Sequence, residues 1–105
     1  MIDVREYLDS RELSPYKVWF DGLNSQAAAK VATALTRLAL GNFSNIKGVG
    51  SGVFEVRIDF GPGYRVYFGK DGERLVILLG GGTKKGQSRD IRAAIANWQD
   101  YKRRK

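Results

Sequence analysis

The sequence predicts an α+β domain in which helices pack on an antiparallel sheet, and three observations predict it. In Val53–Phe68 (VFEVRIDFGPGYRVYF), Phe54, Val56, Ile58 and Phe60 alternate with Glu55, Arg57 and Asp59. After Gly61-Pro62-Gly63, Tyr64, Val66 and Phe68 alternate with Arg65 and Tyr67. A period of two marks strands with one buried face. Ahead of this hairpin, Ser25–Leu40 is rich in alanine and carries Ala28, Val31, Leu35, Leu38 and Ala39 as a helical stripe. Three strands follow one another after the helical hairpin, an order that reads as an α+β domain with an antiparallel sheet.

Taken in order, Ile2–Leu8 (IDVREYL) reads as an opening strand. Ser14-Pro15 starts a short helix, with serine capping free amide groups and proline at the first helical position. Tyr16, Trp19, Phe20 and Leu23 follow at helical spacing, with Gly22 near the end. Asn24 or Ser25 caps the second helix, Ser25–Leu40, and Gly41 stops it. Asn42–Ser51 reads as a loop from its Asn, Ser and Gly content. Phe54–Phe60 then pairs with Tyr64–Phe68. A turn centred on Pro62 sets Arg57 opposite Tyr67 and Asp59 opposite Arg65. Asp71-Gly72 turns the chain into Arg74–Leu79, a central strand apolar on both faces that Gly80-Gly81-Gly82 ends. Ser88 begins a last helix with Asp90 in its first turn and Ile91, Ala94, Ile95, Trp98 and Tyr101 as its core stripe. Lys102-Arg103-Arg104-Lys105 closes the chain as a solvated, mobile tail. The order is β-α-α-β-β-β-α, an antiparallel sheet packed by an N-terminal helical hairpin and a C-terminal helix, in a single domain over residues 1–105.

Composition narrows the chemistry. The chain has 105 residues, 18 Lys+Arg against 11 Asp+Glu, and a formal charge of +7. Such a balance favours a polyanionic partner, nucleic acid or an acidic protein. Cysteine and histidine are both missing, which removes thiolate metal sites, the usual zinc ligand and the usual neutral-pH base. Met1–Ser10 carries charges and no apolar stretch, and Leu75–Leu79 is too short to span a bilayer. The expectation is a cytoplasmic protein with no membrane contact. Gly81–Gln87 (GGTKKGQ) has glutamine where a phosphate-binding P-loop requires lysine. Gly48–Gly52 lacks dinucleotide spacing. No nucleotide cofactor and no metal are expected.

The polar face of the hairpin is the candidate site. Arg57, Arg65 and Tyr67 should emerge from one exposed side of neighbouring strands, a rigid cationic floor suited to a phosphate chain with bases attached. Arg57 fits a phosphate clamp through its planar fork, or a salt bridge with Glu55 or Asp59. Arg65 has the same two readings, with Asp59 as its cross-strand partner. Tyr67 can stack on a base or donate a proton, or simply cover the sheet. Lys84 and Lys85 follow the triple glycine, on a loop able to approach a phosphate or merely be solvated.

Val53–Phe68, Leu75–Gly82 (LVILLGGG), Lys84-Lys85 and Asp90-Ile91, with the helical hairpin before them, resemble the RelE/ParE toxin superfamily. The match lies nearest the HigB-like branch, the phage-derived "addiction module killer protein" group. The resemblance implies a RelE-like fold and a type II toxin neutralised by a cognate antitoxin, a HigA-like helix-turn-helix protein in this branch. It also implies cleavage of mRNA in the ribosomal A site without metal, an endoribonuclease that inhibits translation. Arg57, Arg65, Tyr67 and Lys84 would then be catalytic, and Lys47 and Lys85 would bind RNA. Cleavage of this kind uses the neighbouring 2′-hydroxyl as nucleophile, and with no histidine in the chain the base would have to be a lysine of lowered pKa or a carboxylate. Two other readings stay open: a ParE-like poison of DNA gyrase, and a non-catalytic nucleic-acid-binding or inactive toxin module.

Overall fold

A computed structural model describes residues Met1–Lys105. The chain forms β1 (Asp3–Glu6), α1 (Pro15–Asp21), α2 (Ser25–Ala39), β2 (Ile46–Gly50), β3 (Val53–Ile58), β4 (Tyr64–Lys70), β5 (Leu75–Thr83), a 3₁₀ turn (Lys84–Gly86) and α3 (Gln87–Arg104). The five strands make one sheet in the order β1-β5-β4-β3-β2. The fold is mixed α+β with three helices, and no helix is long and apolar enough to cross a membrane.

The helix starts follow local chemistry. Ser14 Oγ accepts the Lys17 N–H at 3.0 Å with Pro15 opening α1, and Asn24 Oδ1 accepts the Ala27 N–H at 2.8 Å to open α2. Helices cover both faces of the sheet. Tyr16, Val31 and Leu38 from α1 and α2 pack on Val56, Val66, Phe68, Val76 and Leu78. Ala94 and Trp98 from α3 pack on Val53, Tyr67, Ile77 and Leu79, with Tyr7. Because β4 lies under both layers, every residue of it but Lys70 is buried.

The sheet departs from the sequence reading in several places, each with a physical cause. Residues 46–50, read as loop, form edge strand β2 against β3. Two glycines break its side-chain alternation, but β3 supplies the backbone partners, and Ile46 and Val49 reach the two core clusters. The opening strand is shorter than expected and pairs parallel to β5, so the sheet is mixed and not wholly antiparallel. Parallel pairing is invisible in hydrophobic alternation, because both ladders use the same period of two. Strand β3 ends at Ile58, not Phe60. The Phe60 N–H bonds Ile58 O and the Gly63 N–H bonds Phe60 O, both at 3.0 Å, which closes residues 59–63 into a compact connection. The register therefore shifts: Arg57 faces Arg65, and Glu55 faces Tyr67. The C-terminal residues continue α3 instead of trailing free. Arg103 and Arg104 pair with Asp100, and Lys105 pairs with Asp71 at 2.7 Å.

The triple glycine continues β5 rather than ending it, because bulky side chains lie against it. A Cβ on Gly81 would stand 2.2 Å from Trp19 Cε3, and one on Gly69 would stand 2.4 Å from Trp98 Cε3. Each indole uses the missing side chain as its seat. Gly80 faces open space. Gly81→Ala and Gly69→Ala should each destabilise the protein by about 1–3 kcal/mol through overpacking. Gly80→Ala should cost nothing. Urea midpoints read with the slope held constant check this ranking.

Candidate functional site: a basic cleft at the hairpin mouth

Arg57 and Arg65 stand directly opposite each other on the α3 side of the sheet. They share a side, as the sequence reading expects, but not an environment. The Arg57 side chain is 60% exposed, whereas that of Arg65 is 7% exposed. The difference comes from Glu55, whose side chain is 1% exposed. Its Oε2 lies 3.4 Å from Arg65 Nε and 4.0 Å from Arg57 Nε. Its Oε1 accepts a hydrogen bond from Gln87 Nε2 at 3.4 Å. A carboxylate taken out of water must be paired, and Arg65 is the cation drawn in to pair it. The Arg65 Nε–H is not aligned for a hydrogen bond, so that contact is Coulombic.

The hairpin mouth gathers the other cations. The Gly63 carbonyl accepts the Lys84 N–H at 2.9 Å and Arg65 Nη1 at 3.4 Å. One backbone oxygen thus ties the end of β5 to the buried arginine and brings Lys84 beside it. Lys47 faces Glu55 across the β2–β3 pair, on the same side of the sheet. A cavity of about 480 Å³ is lined by Lys47, Arg57, Arg65 and Lys84, with Asp59, Asn45 and Tyr64 among its other walls. Four cations against one lining carboxylate make an anion seat, and the planar guanidinium of Arg57 suits a phosphate. A single carboxylate among cations is a poor cradle for a divalent metal, which wants several oxygen ligands.

Two expected site residues are placed differently. Tyr67 is fully buried beneath α3, and its hydroxyl has no hydrogen-bond partner. It offers no surface to a base, because the exposed floor expected from the sequence is roofed by α3. Burial, with the carboxylates of Glu55 and Asp90 nearby, pushes its phenol up to about 12. Lys85 is exposed but lies outside this cavity, in an adjoining groove with Lys84, Arg89 and Arg92. Asp59 was expected to pair with Arg65; it lines the cleft instead, with no ion-pair partner. The signal for that was its position two residues ahead of Gly61-Pro62-Gly63, where a strand residue becomes a turn residue. The signal for Glu55 as the organiser was only an acidic residue two positions before Arg57 on the polar side of a strand.

Fold and cleft define a small α+β protein with four basic side chains and one carboxylate lining a cavity at a hairpin mouth. The chain belongs to the family of phage-derived Gp49-like proteins (DUF891), which matches residues 18–99. It is also 49% identical over 77 residues to an uncharacterized protein of Haemophilus influenzae (strain Rd), a stretch covering 72% of this chain and 78% of that relative. Every cleft residue named above falls inside the family match.

Glu55→Ala should destabilise the protein by about 3–5 kcal/mol, since it strands the Arg65 charge. Arg57→Ala should stay within about 0.5 kcal/mol, as expected of an exposed side chain. Tyr67→Phe should leave stability unchanged or raise it by about 1 kcal/mol, because the hydroxyl it removes is unpartnered. Tyr16, Tyr67 and Tyr101 are each raised from 10.0 to about 12. Their contribution to stability is therefore full below pH 10 and lost as pH rises through 12. Urea denaturation across that window should show the loss, and it should be smaller in Tyr67→Phe.

Proposed function

We propose that this chain is the toxin of a type II toxin–antitoxin pair, of the RelE/ParE type and nearest its HigB-like branch, and that it cleaves mRNA on the ribosome without a metal ion. The observation that carries the reading is the convergence of Lys47, Arg57, Arg65 and Lys84 on one cavity that also contains Asp59. Membership of a phage-derived family and the order of helices and strands fit the same reading. A cognate antitoxin, expected to be a helix-turn-helix protein, would neutralise it by covering the cationic cleft, and the site of action is the cytoplasm.

In this reading Arg57 grips the scissile phosphate with the end of its guanidinium turned away from Glu55. Lys47 and Lys84 flank the phosphate, and Arg65 adds a fixed positive charge from the wall. Preorganised cations of this kind stabilise the extra charge on phosphorus in the transition state. The 2′-hydroxyl attacks the adjacent phosphorus as Asp59 takes its proton. The bond from phosphorus to the 5′-oxygen breaks, and that oxygen receives a proton from the Lys84 ammonium or from water. The products are a 2′,3′-cyclic phosphate and a 5′-hydroxyl. Lys85 binds RNA beside the cleft, and Tyr67, closed under α3, supports the floor from inside.

The test is single-turnover cleavage of mRNA on programmed ribosomes. Arg57→Ala should slow it by about 10²–10³-fold, as losing a preorganised donor does. Asp59→Asn should slow it by about 10²–10⁴-fold, the range for a proton-transfer group. Lys84→Ala should also impair it. Equal rates in wild type and Arg57→Ala would remove this site from the chemistry. Intact transcripts together with trapped gyrase–DNA cleavage complexes would move the protein to the gyrase-poison reading.

A further inference from the structure

A second groove, of about 330 Å³, adjoins the cleft on the other side of the sheet edge. Ser44, Asn45, Arg57, Ile58 and Asp59 line both cavities, so the two meet where the chain has not yet entered β2. The far wall of the second groove is α2, which presents Lys30 and Arg37. They are seven residues apart on one helix, two turns or about 10 Å along its axis. Both are exposed, and neither has an ion-pair partner. The Lys30 ammonium sits 5.5 Å from the centroid of the Phe60 ring, which holds it beside the hairpin connection.

The near wall is amide-rich. Asn42 Oδ1 accepts the Ser44 N–H at 3.0 Å, which fixes that side chain and leaves its amide N–H groups free. The Asn45 side chain makes no hydrogen bond, while the Asn45 carbonyl accepts the Arg57 N–H at 3.2 Å and locks this segment to β3. Asp59 is the one carboxylate lining the groove, and it sits at the junction with the cleft. Cations along one wall and asparagine amides along the other match a strand of phosphates bearing base edges. The path bends over the edge of a sheet, a course that a single strand follows and a stacked duplex does not.

We propose that the groove between α2 and the end of β3 is a second RNA subsite, which holds the single-stranded flank of the strand whose phosphate sits at Arg57. Lys30 and Arg37 contact its phosphates, and Asn42 and Asn45 face its bases. The inference rests on the RNA reading of the cleft, and its test separates the two.

The probe is a fluorescent RNA of about twelve nucleotides, within the usual span of single-strand sites, made uncleavable by 2′-O-methylation. Its affinity for the full chain is measured by anisotropy across a salt series. Lys30→Ala/Arg37→Ala should weaken binding at low salt by tenfold or more. It should also reduce the slope of log K against log salt by about 1.4, at about 0.7 for each lost contact to a single strand. Lys30→Arg/Arg37→Lys should keep the wild-type slope, and a trinucleotide should bind wild type and the alanine pair alike. Both positions are exposed, so the variants should fold. An unchanged slope in the alanine pair, with Arg57→Ala still weakening binding, overturns the second subsite and leaves the cleft reading standing. Failure of wild type to bind the free strand also overturns it, and ribosome-dependent cleavage then decides separately whether the cleft reading survives. Tight binding of an acidic peptide in place of RNA, lost in the alanine pair, overturns it in favour of a protein partner.

Discussion

A carboxylate enclosed by protein cannot be left without positive charge beside it, and the arrangement around Glu55 follows from that requirement. Arg65 is held inside with it, Gln87 reaches down from the start of α3 to its other oxygen, and Arg57 leans on it from the rim. Such a pair adds little net stability over a well-packed apolar core, since desolvation offsets much of the attraction. Its effect is geometric. Once the anion is enclosed, only a small set of positions keeps both cations near it. The Gln87 hydrogen bond also ties the N-terminal end of α3 to this charge, while the roof over Tyr67 is the apolar packing of Ala94 and Trp98.

The far end of α3 is held by a different chemistry. Tyr7 donates to Asp100 and Tyr101 donates to Asp71, each at 2.6 Å, and Lys105 adds an ion pair to Asp71. These contacts hold Asp71 and Asp100 below the usual carboxylate range, through the Lys105 and Tyr101 hydrogen bonds in the first case and the Tyr7 and Arg103 hydrogen bonds in the second. The contribution of the two carboxylates to folding is therefore full above the ordinary value of 3.8 and lost as pH falls through their lowered values. With α3 fixed at both ends and Trp98 seated on Gly69, the sheet face beneath it is a closed core. What stays open is the hairpin mouth, where residues 59–63 leave the sheet and the chain after β5 comes alongside. A rigid scaffold with an exposed connection at one end is the usual setting for binding chemistry.

The parts of this site that were legible in the sequence are those set by alternation and charge. Arg57 and Arg65 had to share a face, because each is flanked by core residues in a period of two. Lys84 was visible as a cation after a strand, but its place in the cleft depends on the Gly63 carbonyl, which no linear pattern reveals. Asp59 was misread because one turn sets the register of a whole hairpin; moving the end of β3 from Phe60 to Ile58 changes every cross-strand partner. The triple glycine was misread because glycine signals a chain stop as readily as a surface where an indole lies close. Strand β2 escaped notice because an edge strand can draw its stability from its neighbour's backbone and keep almost no side-chain pattern of its own.

By itself the sequence determined the α+β class, the capped starts of α1 and α2, the apolar stripes that become the two cores, and the excess of positive charge. All of these depend on residues near one another in the chain, or on simple totals. Only the tertiary structure decided which charges face water. Arg57 and Arg65 are the same residue type on the same side of adjacent strands, yet one side chain is 60% exposed and the other is 7% exposed beside the buried Glu55 carboxylate. Burial depends on everything packed above a side chain, and that is a long-range property which local patterning does not carry.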